Sequence, residues 1–262
     1  MNNSEYIPES RRGLTTEYER GFNYDVHVDM TMCGAGGCVT PSGWQRLIVG
    51  LIERHLENIG MGEQELLDRL GMSWILLSTH VRPKRGVKLG EHLTGVTWNS
   101  GVMPPVFRRD LRLFGEDGRL VASGATYSTL FSASERKFCT DRAVIGSLWL
   151  PEGEKVIDAQ RRAPRLDGFV PVEERRARPS MTDGMGHVNN TRYGEFVYDA
   201  LTDSERAAIG SLSAMDVWFF TEMREGCVFS VERAPTPGGT AVRGVLPGGG
   251  VSFLMCLGFG QA

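Results

Sequence analysis

Apolar positions change period along this chain in one order, and the order then repeats. Between Phe22 and Met32, "FNYDVHVDMTM" partly alternates apolar with polar, which predicts a strand. A glycine-rich turn, "CGAGGCVTPSG", follows. Trp44, Leu47, Ile48, Leu51, Ile52, His55, Leu56 and Ile59 then recur at helical spacing on one face, with Ser42 as the expected N-cap and Gly60 as the expected stop. A shorter helix is expected near "GEQELLDRL". From Trp74 the chain turns β-rich through "SWILLSTHVRP", "EHLTGVTWNS" and "VFRRDLRLFGEDGRLVASGATYSTLF", with "GEDG" at 115–118 as a hairpin turn.

Residues 140–170 break the pattern with "LPEGEK" and "RRAPRLDG" and read as a connector. The order then starts again. "GFVPVEERRARPS" reads as a strand, a polar loop follows, and Tyr193, Phe196, Val197, Ala200 and Leu201 fall on one helix face. "LTDSERAAIG" adds a short helical turn. "AMDVWFFTEM", "CVFSVERA", "GTAVRGVL" and "VSFLMCLGF" are strands between Gly and Pro turns. This is an internal duplication at low identity. "GCVTPSGW" lies on "GHVNNTRY", so that Gly37 meets Gly186, Val39 meets Val188, Trp44 meets Tyr193, and Cys38 stands where His187 stands. The expected bounds are 1–140 for an N-terminal domain, 141–170 for the connector and 171–262 for a C-terminal domain. Two units of about 130 residues suit ordinary domain sizes.

Composition narrows the classes. A hydrophobic fraction of 41% supports a real core, and a net charge of −3 gives no reason to expect a nucleic-acid partner. Basic residues are instead local: Arg82, Lys84 and Arg85; Arg108 and Arg109; Arg175 and Arg176; and "RRAPR" from Arg161. Five cysteines, an odd number at irregular spacing without a CxxC, predict reduced and mostly buried thiols, no metal site and a cytoplasmic setting. The N-terminal "MNNSEYIPESRRG" is polar and reads as no signal core, and no apolar run is long enough for a membrane span. "CGAGG" lacks the Lys-Ser/Thr of a phosphate loop.

The loop "TDGMGHVNN" carries the chemistry. A glycine before His187 allows close backbone approach, and free N–H groups at a helix start favour a carbonyl oxygen that gains negative charge. Asp183 and His187 supply proton handling or orientation beside it. Taken singly, Asp183, Asn189 and Asn190 are equally turn and cap residues, and His55 reads as a core histidine.

A long helix wrapped by an antiparallel sheet is the hotdog arrangement, and "DGMGHVNNTRY" resembles the D-x-x-G-H-x-N-N-x-x-Y loop of hotdog thioesterases. With "GLIERHLENIGM", "MSWILLSTHVRP", "LTGVTW" and "FRRDLRLFGEDGRLVASG", the chain resembles bacterial acyl-ACP thioesterases, relatives of the plant enzymes, from about Tyr18 to about Phe259. The resemblance implies an α+β tandem (double) hotdog, each half a long helix wrapped by an antiparallel sheet. It implies hydrolysis of acyl-[acyl carrier protein] to free fatty acid and holo-ACP, which ends elongation, with no cofactor and no metal. Asp183, His187 and Glu222 are the implied catalytic set. Either carboxylate activates water, His187 orients the thioester or shares the proton, and N–H groups just after Gly186 hold the oxyanion. Asn189, Asn190, Trp44 and Ile48 are the expected substrate-binding residues. The acidic carrier protein is the expected partner, docked on a basic patch, with a monomer and a homodimer both open.

Two positions depart from the plant pattern: Met185 replaces an Asn, and Met223 replaces a Cys after the Glu. Cys227 is not the equivalent of that Cys, so water rather than a thiol is the expected nucleophile. The rival readings are an acyl-CoA thioesterase on the same fold and a non-catalytic acyl or acyl-ACP binding protein.

Overall fold

In a computed structural model the described residues are 22–132, 134–148 and 150–260. The expectation about the N-terminal "MNNSEYIPESRRG", and the start of the resemblance at Tyr18, lie outside them. The elements alternate as read. They are β1 (Tyr24–His27), α1 (Pro41–Asn58), α2 (Glu63–Leu70), β2 (Met72–Pro83), β3 (His92–Met103), β4 (Val106–Gly115), β5 (Leu120–Ser132), β6 (Lys137–Phe138) and α3 (Arg142–Ser147). After the connector come β7 (Val170–Arg176), α4 (Tyr193–Asp199), α5 (Asp203–Ala207), β8 (Leu212–Phe219), β9 (Val228–Thr236), β10 (Gly239–Val245) and β11 (Val251–Phe259). Among the described residues, no helix is long and apolar enough to cross a membrane.

The chain forms two compact units, and neither is one continuous stretch. The first holds the described part of Met1–Val26 with Ile48–Leu77 and Leu93–Ala159; the second holds His27–Leu47, Ser78–His92 and Gln160–Ala262. These do not follow the bounds 1–140, 141–170 and 171–262 drawn on the sequence. Periodicity reports local structure, whereas a unit is defined by which segments meet.

In the first unit, β3, β4 and β5 are antiparallel neighbours. The hairpin between β4 and β5 closes through Gly118 N–H donating to the Gly115 carbonyl at 2.9 Å. Gly118 has φ +72, where a side chain would be strained. Leu56, Ile59, Met61, Leu66, Phe107 and Leu130 form one buried cluster with Ile145 and Leu148. The "connector" is partly a strap fastened to this unit. Trp98 Nε1 donates to the Glu154 carbonyl, Asn99 Nδ2 to the Leu150 carbonyl and the Tyr127 hydroxyl to the Ala159 carbonyl, at 2.9 Å each. Arg108 and Arg109 are buried at 8% and 6% exposure, which removes "FRRD" from the surface. Arg108 closes on Asp110 instead, Nε to Oδ2 at 2.7 Å.

In the second unit, the end of β2 pairs with β8, and β11, β10, β9 and β7 follow in antiparallel order. The helix here is the main departure from the sequence reading: α4 has seven residues, against 18 in α1. Thr202 starts a new capping box with Glu205 and so takes the chain out of helix after Leu201. A helix this short is not stable alone. It is held by packing: Tyr193 and Phe196 lie against Phe253 with ring centroids 4.9 and 6.4 Å away, and Phe196 meets Phe229 at 5.1 Å.

A second difference concerns the cap of α1. The helix begins at Pro41, and Thr40 Oγ1 accepts from Gly43 N–H at 3.2 Å, so Thr40 and not Ser42 is the cap. Proline suits the first helical position because its missing N–H would be unpaired there anyway.

Asp216 of β8 accepts from His80 Nδ1 at 2.7 Å and Arg82 Nη1 at 2.8 Å. Burial would raise this carboxyl, but the His80 and Arg82 hydrogen bonds outweigh it and hold it below the ordinary carboxylate range. A depressed acid stabilises the fold above its unfolded pKa, and that stability is lost as pH falls through the folded value. Asp216→Asn is therefore expected to lower urea stability at pH 7, with the gap to wild type closing below about pH 4. A gap that persists unchanged at pH 3 would show that the ionised carboxylate is not what stabilises this face.

Candidate active site

Residues 182–193 form a closed loop that leads into α4. Asp183 N–H donates to the His187 carbonyl at 2.9 Å and Gly186 N–H to the Asp183 carbonyl at 3.0 Å. Gly186 takes φ +77, which a side chain would resist. Val188 N–H donates to the Met223 carbonyl at 2.7 Å, and His187 bridges Arg224, so the loop is tied to the segment after β8. Glu222 lies in that segment, past the end of the strand rather than inside it.

His187 and Glu222 come together, with Nε2 3.0 Å from Oε2. Their side chains are 24% and 48% exposed, so the pair faces solvent from a shallow position. Asp183 does something else. Its Oδ1 accepts from Met185 N–H at 2.9 Å and His187 N–H at 3.3 Å, which makes it the clamp that shapes the loop. Behind the pair, burial pushes the Tyr193 phenol up, and its hydrogen bonds to Ser252 and to the Met223 backbone only partly offset this.

The other expected residues are placed differently. Asn189 uses its side-chain oxygen as a cap, accepting from Thr191 N–H at 3.0 Å and Thr191 Oγ1 at 2.7 Å. The Asn190 carbonyl accepts from Gln45 Nε2 at 2.8 Å, while Asn190 Oδ1 is buried and, among the described residues, has no hydrogen-bond partner. Trp44 and Ile48 are fully buried, at 1% and 0%. The oxyanion expectation needs correction. The N–H groups of His187, Val188 and Asn189, just after Gly186, already donate to Asp183 Oδ1, Met223 O and Met181 O. The loop needs them to close on itself.

Arg224 was not anticipated. Its Nη2 lies 2.9 Å from Glu222 Oε1 and 3.0 Å from His187 Nε2. A basic residue two positions after Glu222 was the only signal, and it is a weak one on an exposed turn.

The first-half loop repeats this hydrogen bonding and loses the chemistry. Gly34 N–H donates to Cys38 O at 3.0 Å, Gly37 N–H to Gly34 O at 2.8 Å and Val39 N–H to Val87 O at 2.9 Å, while Cys38 bridges Lys88. The register sets Gly34, Cys38 and Gly86 at the positions of Asp183, His187 and Glu222. A Cβ on Gly86 would stand 2.5 Å from the Gly210 carbonyl, so that position has no room for a carboxylate. The duplication is real, and it carries one polar set.

A cavity of about 420 Å³ lies on the second unit, lined by Arg82, Arg162, Asp216, Trp218 and Cys256 among others. It shares no residue with the His187 loop. Burial, and then the charge of Asp216, push the Cys256 thiol up to about 11, so it stays protonated.

Residues 21–141 match the family profile of the acyl-ACP thioesterase N-terminal domain. That part of the chain is an acyl-ACP thioesterase domain. Solved structures agree on the fold. An acyl-ACP thioesterase from Bacteroides thetaiotaomicron VPI-5482 is 18% identical with a TM-score of 0.80, covering 91% of this chain and 97% of its own. The 12:0-ACP thioesterase from Umbellularia californica is 15% identical with a TM-score of 0.77, covering 92% and 97%. Among curated proteins, none matches. The α+β hotdog-type reading stands on the fold; the acyl-ACP thioesterase match covers residues 21–141 and leaves the His187 loop outside it.

Proposed function

We propose that the acyl-ACP thioesterase reaction takes place at the loop of Asp183, His187 and Glu222. The observation that carries this is the 3.0 Å contact between His187 Nε2 and Glu222 Oε2, at a loop whose first-half copy has only glycine and cysteine at those positions. Glu222 takes a proton from water, and the water oxygen bonds to the thioester carbonyl carbon. The tetrahedral intermediate collapses, the C–S bond breaks, and the proton returns to the leaving sulfur through His187. The products are a fatty acid and a thiol on the carrier. Asp183 keeps His187 in place through the loop N–H groups. The Asn190 N–H, first of the turn that leads into α4, is the donor we assign to the oxyanion in place of those after Gly186. Trp44 is assigned to the wall of the acyl slot. The test is steady-state hydrolysis of one acyl-ACP by single variants of the three polar residues.

The same proposal places the docking patch for the acidic carrier. Arg82, Arg85 and Arg175 are tied to Asp216, Glu91 and Glu173, and Arg108 to Asp110. Arg176 and Arg178 are exposed and run directly into the catalytic loop. Met185 and Phe220, both 53% exposed, offer apolar contacts beside His187 and Glu222. Added salt is expected to raise KM for acyl-ACP several-fold while leaving KM for an acyl-pantetheine nearly constant, because screening weakens contacts between exposed charges. Equal salt sensitivity for the two substrates would remove the electrostatic dock. A cytoplasmic setting belongs to this proposal as well, supported by the five free thiols.

A further inference from the structure

We infer that Arg224 locks the resting site and that the phosphate of the substrate's thioester arm releases it. This rests on the reading that Glu222 and His187 form the active site. The geometry shows a conflict at one atom. His187 Nε2 stands 3.0 Å from Arg224 Nη2, a donor, and 3.0 Å from Glu222 Oε2, an acceptor. An imidazole nitrogen offers either a lone pair or an N–H, so only one of these contacts is a hydrogen bond at a time. Glu222 is held on both oxygens: Oε1 by Arg224 Nη2 at 2.9 Å and Nε at 3.3 Å, Oε2 by His187. Both oxygens are thus engaged before any water arrives. The resting arrangement therefore opposes the reaction that the same residues are built for.

Arg224 is made to leave. Its backbone is fixed by the bridge to His187, while its side chain is 54% exposed and, among the described residues, has no carboxylate partner besides Glu222. A guanidinium fork fits a phosphate bidentately, as it fits a carboxylate. Carrier protein and coenzyme A both present the acyl group on a 4′-phosphopantetheine arm, so one chemistry serves both. When the phosphate takes Arg224, Glu222 Oε1 is freed and His187 Nε2 keeps a single partner. Arg224 is a positioning residue in this scheme, acting through Glu222. The first-half copy agrees with it: Gly86 stands at the position of Glu222, so Lys88 there has nothing to lock.

The test compares the same acyl group on pantetheine, on 4′-phosphopantetheine and on the carrier protein, for wild type, Arg224→Ala, Arg224→Lys and Glu222→Gln. In wild type, phosphate is expected to raise kcat/KM by about tenfold over acyl-pantetheine, the scale of a charge-assisted pair. In Arg224→Ala, turnover of acyl-pantetheine rises and that of acyl-phosphopantetheine falls, so the ratio approaches one. Arg224→Lys keeps part of the ratio. A merely structural arginine would lower all substrates by one common factor, and that result overturns the inference. So does a preference that appears on the carrier protein and is absent on free acyl-phosphopantetheine, which would assign Arg224 to the protein surface. Glu222→Gln separates the two failures. If it hydrolyses every substrate at the wild-type rate, the site assignment fails; if it is inactive while the phosphate ratio survives in Arg224→Ala, the lock alone fails.

Discussion

Glu222→Gln is expected to lower kcat for acyl-ACP by roughly 10²–10⁴-fold, the usual scale for losing general-base help, with the melting temperature unchanged. The amide has the shape of the carboxylate and keeps a contact to His187, but it cannot take a proton from water. Glu222 is half exposed at the end of a loop, so no core packing depends on it. His187→Ala should lose a similar factor. Asp183→Asn should lose less, because the structure gives Asp183 two backbone N–H groups to hold and no contact to Glu222. An asparagine oxygen can still accept those bonds, so its loss should appear in KM as well as kcat. Cys227→Ala should stay active: its Sγ lies 3.8 Å from the Val228 carbonyl, to which it donates, rather than on His187. Kinetics of the four variants, with melts as the fold control, decide the matter. Full activity in both Glu222→Gln and His187→Ala would sink the site, and loss of turnover in Cys227→Ala alone would replace water by a thiol nucleophile.

The loop was legible in the sequence because its signals are local. Gly186 before His187, Asp183 four residues earlier and Asn189 at a helix start each answer to turn and cap chemistry over a few residues. The duplication was legible for the same reason, and the structure repeats it bond for bond at Gly34–Val39. What could not be read was whatever depends on distant segments meeting. Arg224 lies 37 positions from His187 and sits on a turn where exposed arginines are common. The brevity of α4 is hidden from periodicity, because Ala200 and Leu201 keep the helical spacing up to the point where Thr202 recaps the chain. The two units were not foreseen because residues 27–47 and 78–92 belong by pattern to the first half and by packing to the second. Arg108 and Arg109 looked like surface charge for a further reason. Nothing in "FRRD" says that the strand is covered by residues 150–159.

That cover yields the second large effect. Asp110 is fully buried in the first unit and is the acceptor for Arg108 through both oxygens, Nε to Oδ2 at 2.7 Å and Nη2 to Oδ1 at 3.0 Å. It also accepts from Val156 N–H at 2.8 Å, and the Ser100 hydroxyl donates to it. Arg108 in turn donates to the Ile157 carbonyl at 2.7 Å. One carboxylate thus satisfies a buried guanidinium and fastens the strap over the sheet. Asp110→Ala leaves the Arg108 charge buried without its counter-ion and frees Val156 N–H. The expected cost is about 3–5 kcal/mol, or a fall in Tm of roughly 6–20 °C for a unit of this size. The pair itself contributes much less than that, because both charges gave up hydration to be there. Arg108→Met with Asp110→Leu should therefore recover most of the loss, since apolar groups of similar volume need no partner. Thermal melts of the single and double variants separate the two quantities. If Asp110→Ala melts within about 2 °C of wild type, less than the shift expected from 1 kcal/mol, this carboxylate does not hold the strap. A double variant as unstable as the single one would show that the strap depends on these hydrogen bonds rather than on charge balance.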